Sequence, residues 1–422
     1  LFRSVIKIIQ QANVPVVPSY FHAKNSPFFY FLSGISDLLR TAKLPAELLN
    51  KKYKSIKIRV GKPIRVNEQE KYTSIPDLCQ FLRQKTYMLA NAYSKDTNRL
   101  ATATQKLKIS SSAKKIAKPV KIEGVEREIQ LLRESDNRLL AVKDYEIFIA
   151  PAKAIPNILF EIGRLREITF REVGEGTNKE IDLDKFDNYY YHLFLWDLKN
   201  KKIAGAYRMG LGHEIFPKYG EKGFYIRTLF SFEPELHKML SQSIEMGRAF
   251  VIKAYQQKPM PLFLLWKGIV HVTLRYPQSK YLIGGVSISN QFSNFSKSLM
   301  IEFMKSNYYD PFVAQYIHPK KEYKVKLKDA DKDFVFDTTQ ADLNKFDKLI
   351  NEIEPGALRV PVLIKKYVKQ NARLVAFNVD PKFNNAIDGL MYIRIADLPD
   401  STVKPVLEEY QAELLKKNEE SC

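Results

Sequence analysis

Cysteine is almost missing from this 422-residue sequence: Cys79 and Cys422 are the only two, too few for a disulfide framework or a thiolate metal cluster. A reducing compartment suits such a chain. Histidine is scarce too, and the six present, at positions 22, 192, 213, 237, 271 and 318, fall in no metal-ligand spacing. No Gly-x-Gly-x-x-Gly or Gly-x-x-x-x-Gly-Lys run occurs, which removes the common phosphate-cradling loops. Neither cysteine lies in a nucleophile motif, so covalent thiol catalysis is not expected. No apolar run approaches the roughly 18 residues needed to cross a bilayer. The densest, Met260 to Trp266, stops at Lys267.

What is abundant is positive charge. Lys and Arg number 67 against 47 Asp and Glu, a net +20 with an isoelectric point near 9.5. Such a surface attracts nucleic acid, anionic lipid or an acidic protein partner, and charge alone does not choose among them. The 45% hydrophobic and 27% charged content, with 23 Tyr and 26 Phe, is that of a folded globular chain. At 48.9 kDa it has room for two or three domains.

Four segments are expected. Residues 1–95 carry an incomplete α/β layer: a helix to about Gln11, a buried strand end in Val14–Phe21, and a half-exposed strand at Ile56–Val60 before Gly61-Lys62-Pro63. The chain opens at Leu1 inside an apolar periodic stretch, the expectation for a piece of a longer protein. Residues 96–124, with Lys106, Lys108, Lys114, Lys115, Lys118 and Lys121 among Ser and Ala, read as a basic linker or a lipid-headgroup segment. Residues 125–412 mix both periodicities. Strands are expected at Tyr145–Ala150, Gly223–Phe230, Tyr281–Val286, Arg373–Val379 and Leu390–Ile395, and a hairpin joins Tyr189–Trp196 to Lys202–Met209. Helices are expected at Ile155–Glu172, Pro234–Leu240, Leu262–Leu274, Asn294–Met304 and Thr402–Leu415. Residues 413–422 are a charged tail. Hairpins among helices indicate α+β or mixed α/β, not a doubly wound parallel sheet.

The chemically informative residues run from Arg164 to Arg248. Arg166 and Phe170, four apart on a helix, share one face. Val173-Gly174-Glu175-Gly176-Thr177 is a loop, and Asp184 and Asp187 close the next turn. A strand then carries Gly205 and Arg208, and a further segment carries Glu245 and Arg248. Taken singly, each charged residue reads as a surface ion pair or a turn residue.

In order and spacing, however, Arg-x-x-x-Phe, Asp-x-x-Asp, Gly-x-x-Arg and Glu-x-x-Arg resemble the acyl-homoserine lactone synthase branch of the GNAT acyltransferases. Those synthases carry a Trp shortly after the Phe; here that loop reads Gly174-Glu175-Gly176, so a different amine acceptor is expected. Leu165–Arg171, Ser243–Arg248, Pro259–Gly268 and Val379–Asn384 resemble more closely the hemolysin-like GNAT proteins that make bacterial ornithine and glycine lipids. The implied fold is a GNAT-like mixed sheet flanked by helices. In the first block, Asn13–Pro18 and Ile58–Ile64 resemble late strands of a glycerolipid O-acyltransferase domain whose catalytic motifs would lie upstream. His192 and Asp197 have that family's His-x-x-x-x-Asp spacing, but an offset of five on a strand points them to opposite faces.

The resemblance implies transfer of a (3-hydroxy)fatty acyl group to the α-amine of glycine or ornithine. The donor is a 4′-phosphopantetheine thioester on acyl carrier protein, with acyl-CoA as the alternative, and no cofactor is bound. Such a reaction needs a proton acceptor for the amine, a donor for the oxyanion and a cation for the substrate carboxylate. Glu245 is the expected proton acceptor or amine orienter, and Arg208 or Arg248 the carboxylate fork. On a regular strand Glu245 and Arg248 face opposite ways, so a bulge or strand end is required if both line one site. Asp184 and Asp187 either hold Arg166 and Arg208 or touch substrate. Arg166, Phe170 and Phe224 complete the substrate-binding set, although Phe170, Phe224 and Phe250 read equally as core. The expected partners are acyl carrier protein, an amino acid and the anionic inner-membrane surface, with a cytoplasmic, peripheral location and no nucleic acid. Acylation of another amine, a non-catalytic membrane-surface module and an RNA-binding module are the competing readings.

Overall fold

The computed structural model describes residues 3–93, 113–327, 331–333, 335, 339–354 and 358–420. Lys106 and Lys108 of the expected linker, and Cys422, lie outside them. The chain divides into one unit of residues 1–106, 292–299 and 326–360 and another of 107–291, 300–325 and 361–422.

In the first unit helix α1 (Arg3–Ala12) precedes strand β1 (Ser19–His22), which pairs antiparallel with β2 (Lys57–Val60); Val16 bridges Ile64 just beyond. Two helices, α2 (Pro27–Ile35) and α3 (Asp37–Leu49), run between these strands. Ser26 caps α2 by accepting from the Phe29 N–H. The buried Glu47 carboxylate, near the end of α3, accepts from the Ser26 N–H and hydroxyl at 2.7 and 2.6 Å. Two expectations fail in this unit. Val14 and Val17 are exposed rather than buried, because Pro15 and Pro18 have no N–H to give a ladder and regular pairing starts only at Ser19. Along β2 the apolar Ile58 and Val60 face outward, while Arg59 is half-buried and donates to the Leu89 and Glu352 carbonyls at 3.4 and 3.3 Å.

The second unit is built on an eight-stranded sheet. Its strands are β3 (Arg138–Val142), β4 (Tyr145–Pro151), β5 (Tyr191–Asp197), β6 (Lys202–Leu211), β8 (Ser243–Val251), β9 (Tyr281–Ile288), β11 (Arg373–Asp380) and β12 (Ala386–Arg394), in the order 11-12-9-8-6-5-4-3. β7 (Phe230–Phe232) and β10 (Ile317–Pro319) form a separate pair. Every neighbouring pair in the large sheet is antiparallel except β8 and β9, which run parallel over Ser243–Glu245 and Tyr281–Ile283. This is the mixed α/β class that the alternating periodicities indicated, with the mixed sheet flanked by helices that the family resemblance implied.

Alternation along β4 and β5 sets the two layers. Phe148 and Phe194 pack with Ile129 and Ile158 of the helices Ile122–Glu134 and Pro156–Glu172. Ile147 and Leu193 point the other way, onto Gly268 of the helix Pro259–Arg275, where an added Cβ would come within 2.8 Å of Ile147.

Residues 223–230, expected as one strand, instead form two 3-10 turns, Gly220–Gly223 and Tyr225–Thr228, before the short β7. The Tyr225 and Ile226 N–H groups donate to Glu245 rather than to a neighbouring strand. Pro234–Leu240 likewise divides into a 3-10 turn and a five-residue helix, His237–Ser241.

Candidate active site

Arg166 projects from the middle of the helix Pro156–Glu172, is 1% exposed, and grips the turn that follows the helix. It donates to both oxygens of Asp187, at 2.8 and 3.1 Å, and to the Asp182 carbonyl. The turn is locked from within: Asp184 accepts from the Phe186 N–H at 2.9 Å, and Asp187 accepts from the Asp184 N–H at 2.7 Å. Arg208 of β6 meets Asp184 at 2.7 Å and Asp187 at 3.2 Å, and Arg248 of β8 meets Asp182 at 3.2 Å and Asp184 at 3.4 Å. Three guanidinium groups thus interleave with three carboxylates contributed by six residues of one turn. Burial opposes charge on Asp187, but Arg166 and Arg208 outweigh it and hold the carboxyl well below its ordinary range. On Arg208 burial is likewise outweighed, by Asp187 and Asp184, and its pKa is raised.

Of the two arginines offered for a substrate carboxylate, Arg208 is 1% exposed and its guanidinium lies 5.0 Å from the Tyr225 ring and 5.2 Å from that of Tyr190. It belongs to the scaffold. Arg248 is partly open, and its guanidinium is sandwiched between Phe383 at 4.4 Å and Tyr225 at 4.8 Å. Its backbone has φ +52°, in the left-handed region, which costs a non-glycine residue about 1–2 kcal/mol. The β6–β8 register explains this. Ala206 faces Phe250 but Arg208 faces Gly247, so Arg248 and Ala249 together oppose Tyr207. The bulge brings Glu245 and Arg248, three apart, against the same residue, Tyr225.

Glu245 is sealed, at 2% exposed. It accepts from the Tyr190 hydroxyl and from the Tyr225 and Ile226 N–H groups, the latter two at 3.0 Å. Burial pushes its carboxyl up to about 7 against these hydrogen bonds and Arg208. Phe224 belongs to the apolar cluster of Tyr190, Ile226 and Ile283, whereas Phe170 and Phe250 belong to that of Phe148 and Phe194. His192 contacts the Asp187 carbonyl at 3.1 Å, and burial pushes its imidazole down to about 4. Asp197, at the far end of the same strand, accepts from Tyr255 and Asn200 instead, so the two form no dyad.

A second group of carboxylates lies beside Arg248. Glu175, from the Gly174–Gly176 loop, accepts from the Ser287 hydroxyl at 2.7 Å, and burial raises its pKa despite that bond. Ser287 pairs across the sheet with Asp388 of β12. Burial, together with Asp380 and Glu175, pushes Asp388 up to about 8, with Arg248 opposing. Asp380 caps the turn that delivers Phe383 to Arg248, accepting from the Lys382 N–H at 2.8 Å. Two glycines stand beside these groups, Gly247 next to Arg248 and Gly285 next to Asp388. A Cβ at Gly247 would meet nothing within 4 Å, and one at Gly285 would meet only Asp388, 3.8 Å away. The strands approach closely just before this point: a Cβ at Gly284 would lie 2.2 Å from the Met246 carbonyl oxygen, so only glycine fits there. Among the described residues no group of three or more His, Cys, Asp or Glu side chains is set to hold a metal ion.

Residues 165–266, which hold Arg166, Asp182, Asp184, Asp187, Arg208, Glu245 and Arg248, match the acetyltransferase (GNAT) domain. The chain is an acyltransferase. It is 29% identical over 246 residues to a glycine N(alpha)-acyltransferase of Phocaeicola vulgatus, covering 55% of this chain and 74% of that protein. A protein of the same name from Bacteroides thetaiotaomicron is 29% identical over 276 residues, 62% of this chain and 80% of its own length. The solved structure of a CoA-dependent acyl-homoserine lactone synthase, MesI, aligns with a TM-score of 0.30 and 12% identity, over 63% of this chain and 95% of that one.

Sequence reasoning gave no role to Asp182, Tyr225, Phe383, Glu175 or Asp388. Signals existed for three of them. Asp182 opens the same Asp-rich turn, Phe383 stands in the Val379–Asn384 phrase, and Glu175 occupies the loop where a Trp was expected. Asp388 carried none.

Proposed function

We propose that this acyltransferase moves a fatty acyl group from a phosphopantetheine thioester to the α-amine of glycine, giving an N-acyl amino acid. The observation that carries this reading is a cation, Arg248, acting on a carboxylate, Asp388, with a glycine beside each: Gly247, whose Cβ position is open, next to Arg248, and Gly285, whose Cβ position meets only Asp388. An amino acid offers the complementary pair of charges over a short span. The names of the two bacterial relatives favour glycine, and acyl carrier protein, itself acidic, suits the chain's net charge of +20. Arg248 takes the substrate carboxylate and Asp388 accepts a proton from the ammonium group. The freed amine then attacks the thioester carbonyl. A C–N bond forms, the C–S bond breaks, and the second amine proton leaves with the thiol. Glu245, closed in by Tyr190, Tyr225 and Ile226, acts instead by holding the turn beneath Arg248.

For the first unit, we keep the reading as the late part of a glycerolipid O-acyltransferase domain. Its support is that the two phrases carrying the resemblance are brought together: Val16 bridges Ile64, and the Gly61 N–H donates to the Pro18 carbonyl at 2.8 Å.

The test is mass spectrometry of lipid extracts from a bacterial host expressing the whole chain, beside the Asp388→Asn variant. A new mono-N-acylated glycine in the first and not the second is the expected result. Another headgroup mass would replace glycine as the acceptor, and no new lipid with folded protein and supplied amino acids would overturn the reading.

A further inference from the structure

The hairpin of α2 and α3 leaves its apolar residues in water. Phe28, Phe31 and Ile35 fall on one face of α2 at helical spacing, and Leu38 and Leu49, three turns apart, fall on one face of α3 with Leu48 beside them. Leu38 is 82% exposed, Leu48 77% and Phe31 64%. Soluble surfaces rarely gather so many large apolar side chains in one place without a use for them.

The hairpin is nonetheless firmly built. Phe29 is its buried contact, and Glu47 ties the end of α3 to the cap of α2 through Ser26. No described helix of the chain is long and apolar enough to cross a membrane.

The charges around the patch identify its occupant. Lys43 lies 5.5 Å from the Phe28 ring and Lys52 lies 5.1 Å from the Tyr53 ring, with Lys51 and Lys54 adjoining. The hairpin's two acids are already used: Asp37 pairs with Arg40 at 3.0 Å, and Glu47 is buried on Ser26. Exposed Phe, Leu and Ile ringed by lysine, without free acid, is the composition that enters the headgroup boundary of an anionic bilayer. We propose that α2 and α3 dock the protein on an anionic lipid surface, the apolar side chains entering the acyl boundary and the lysines meeting lipid phosphates. This surface does not depend on which amine is acylated.

Flotation of the full chain with phosphatidylcholine vesicles, with and without phosphatidylglycerol, tests it. The wild type is expected to bind the anionic vesicles preferentially. Phe31→Ser with Leu38→Ser and Leu48→Ser should lower binding to them by at least about tenfold, since each buried methylene contributes about 0.8 kcal/mol. Lys43→Glu with Lys52→Glu and Lys54→Glu should remove the anionic preference, each lost lysine being worth about 1 kcal/mol, or roughly fivefold. All six positions lie outside the active site and are not fully buried, so circular dichroism and acyl transfer between soluble substrates should be unchanged. Vesicle binding equal to wild type in both variants would overturn the proposal. So would a wild-type dimer, seen by light scattering, that the serine variant dissociates while vesicle binding persists.

Discussion

Arg248 stacks on Phe383, guanidinium carbon 4.4 Å from the ring centroid, although 135 residues separate them along the chain. The contact exists because β8 bulges at Arg248 while Asp380 caps the turn after β11. A flat, delocalised cation held between two rings is positioned in a way that an ammonium group cannot reproduce.

Arg248→Lys keeps the charge and loses the stacked, forked geometry. Steady-state acylation should show KM for the amino acid raised by about tenfold or more, the scale of one charge-assisted hydrogen bond, with a smaller change in kcat. An unchanged KM would remove Arg248 from carboxylate binding.

Arg166 presents the contrasting case, since it and its partners are all buried. Arg166→Met takes one of two cations from each of Asp187 and Asp182, which are 1% and 2% exposed, leaving them only Arg208 and Arg248 respectively. Unfolding in urea should show a loss of about 3 kcal/mol, the lower end of the cost of breaking a buried pair, because a second cation remains on each carboxylate. Because Asp187 is held low, its stabilisation is complete above the unfolded carboxyl's pKa and fades as pH falls below it. The variant and the wild type should therefore converge in acid.

The Arg166, Asp184, Asp187, Arg208 and Arg248 cluster was legible in the sequence through the resemblance of its order and spacing to a known acyltransferase family; periodicity alone placed its members on a helix, a turn and strands and gave them no common site. Its geometry was only half legible. The need for a bulge follows from the three-residue offset of Glu245 and Arg248, but its position depends on how β6 pairs with β8. Asp388 was invisible because it reaches Arg248 only through the order β12-β9-β8, a long-range property of the sheet. Residues 223–230 misled for a similar reason. Their strand-like composition is overridden by Glu245, which captures two N–H groups from some twenty residues away. In the first unit the β2 alternation was real, yet its apolar side faces outward, since burial depends on what lies opposite rather than on pattern.

Glu245 has a pH signature distinct from that of Asp187. Its carboxyl titrates near 7 in the folded protein and near 4.5 as a free side chain, so between these values the folded chain binds more protons than the unfolded one. Stability contributed by this group therefore falls as pH rises through that window. Glu245→Gln removes the proton exchange, so its stability deficit relative to wild type should shrink between pH 5 and pH 8, about the span of the window. His192, held down to about 4 by burial, has the opposite slope but is present in both proteins and cancels. A deficit independent of pH would mean that Glu245 is not the buried acid inferred here.

Asp388 gives the most direct test of the chemistry. A carboxyl held near 8 by burial, Asp380 and Glu175 is only partly ionised at neutral pH, and only its ionised form can accept a proton from the substrate. kcat/KM should therefore rise with pH through an inflection near 8. In Asp388→Asn the rate should fall by about a hundred- to ten-thousand-fold, the range for losing a general base, and the inflection near 8 should disappear. The rise that remains should follow only the amine's own ionisation. Glu175→Gln removes one of the charges that raise Asp388, so the same inflection should move to lower pH with activity retained. A wild-type profile without this inflection, or an Asp388→Asn variant that keeps it, would place the proton acceptor elsewhere.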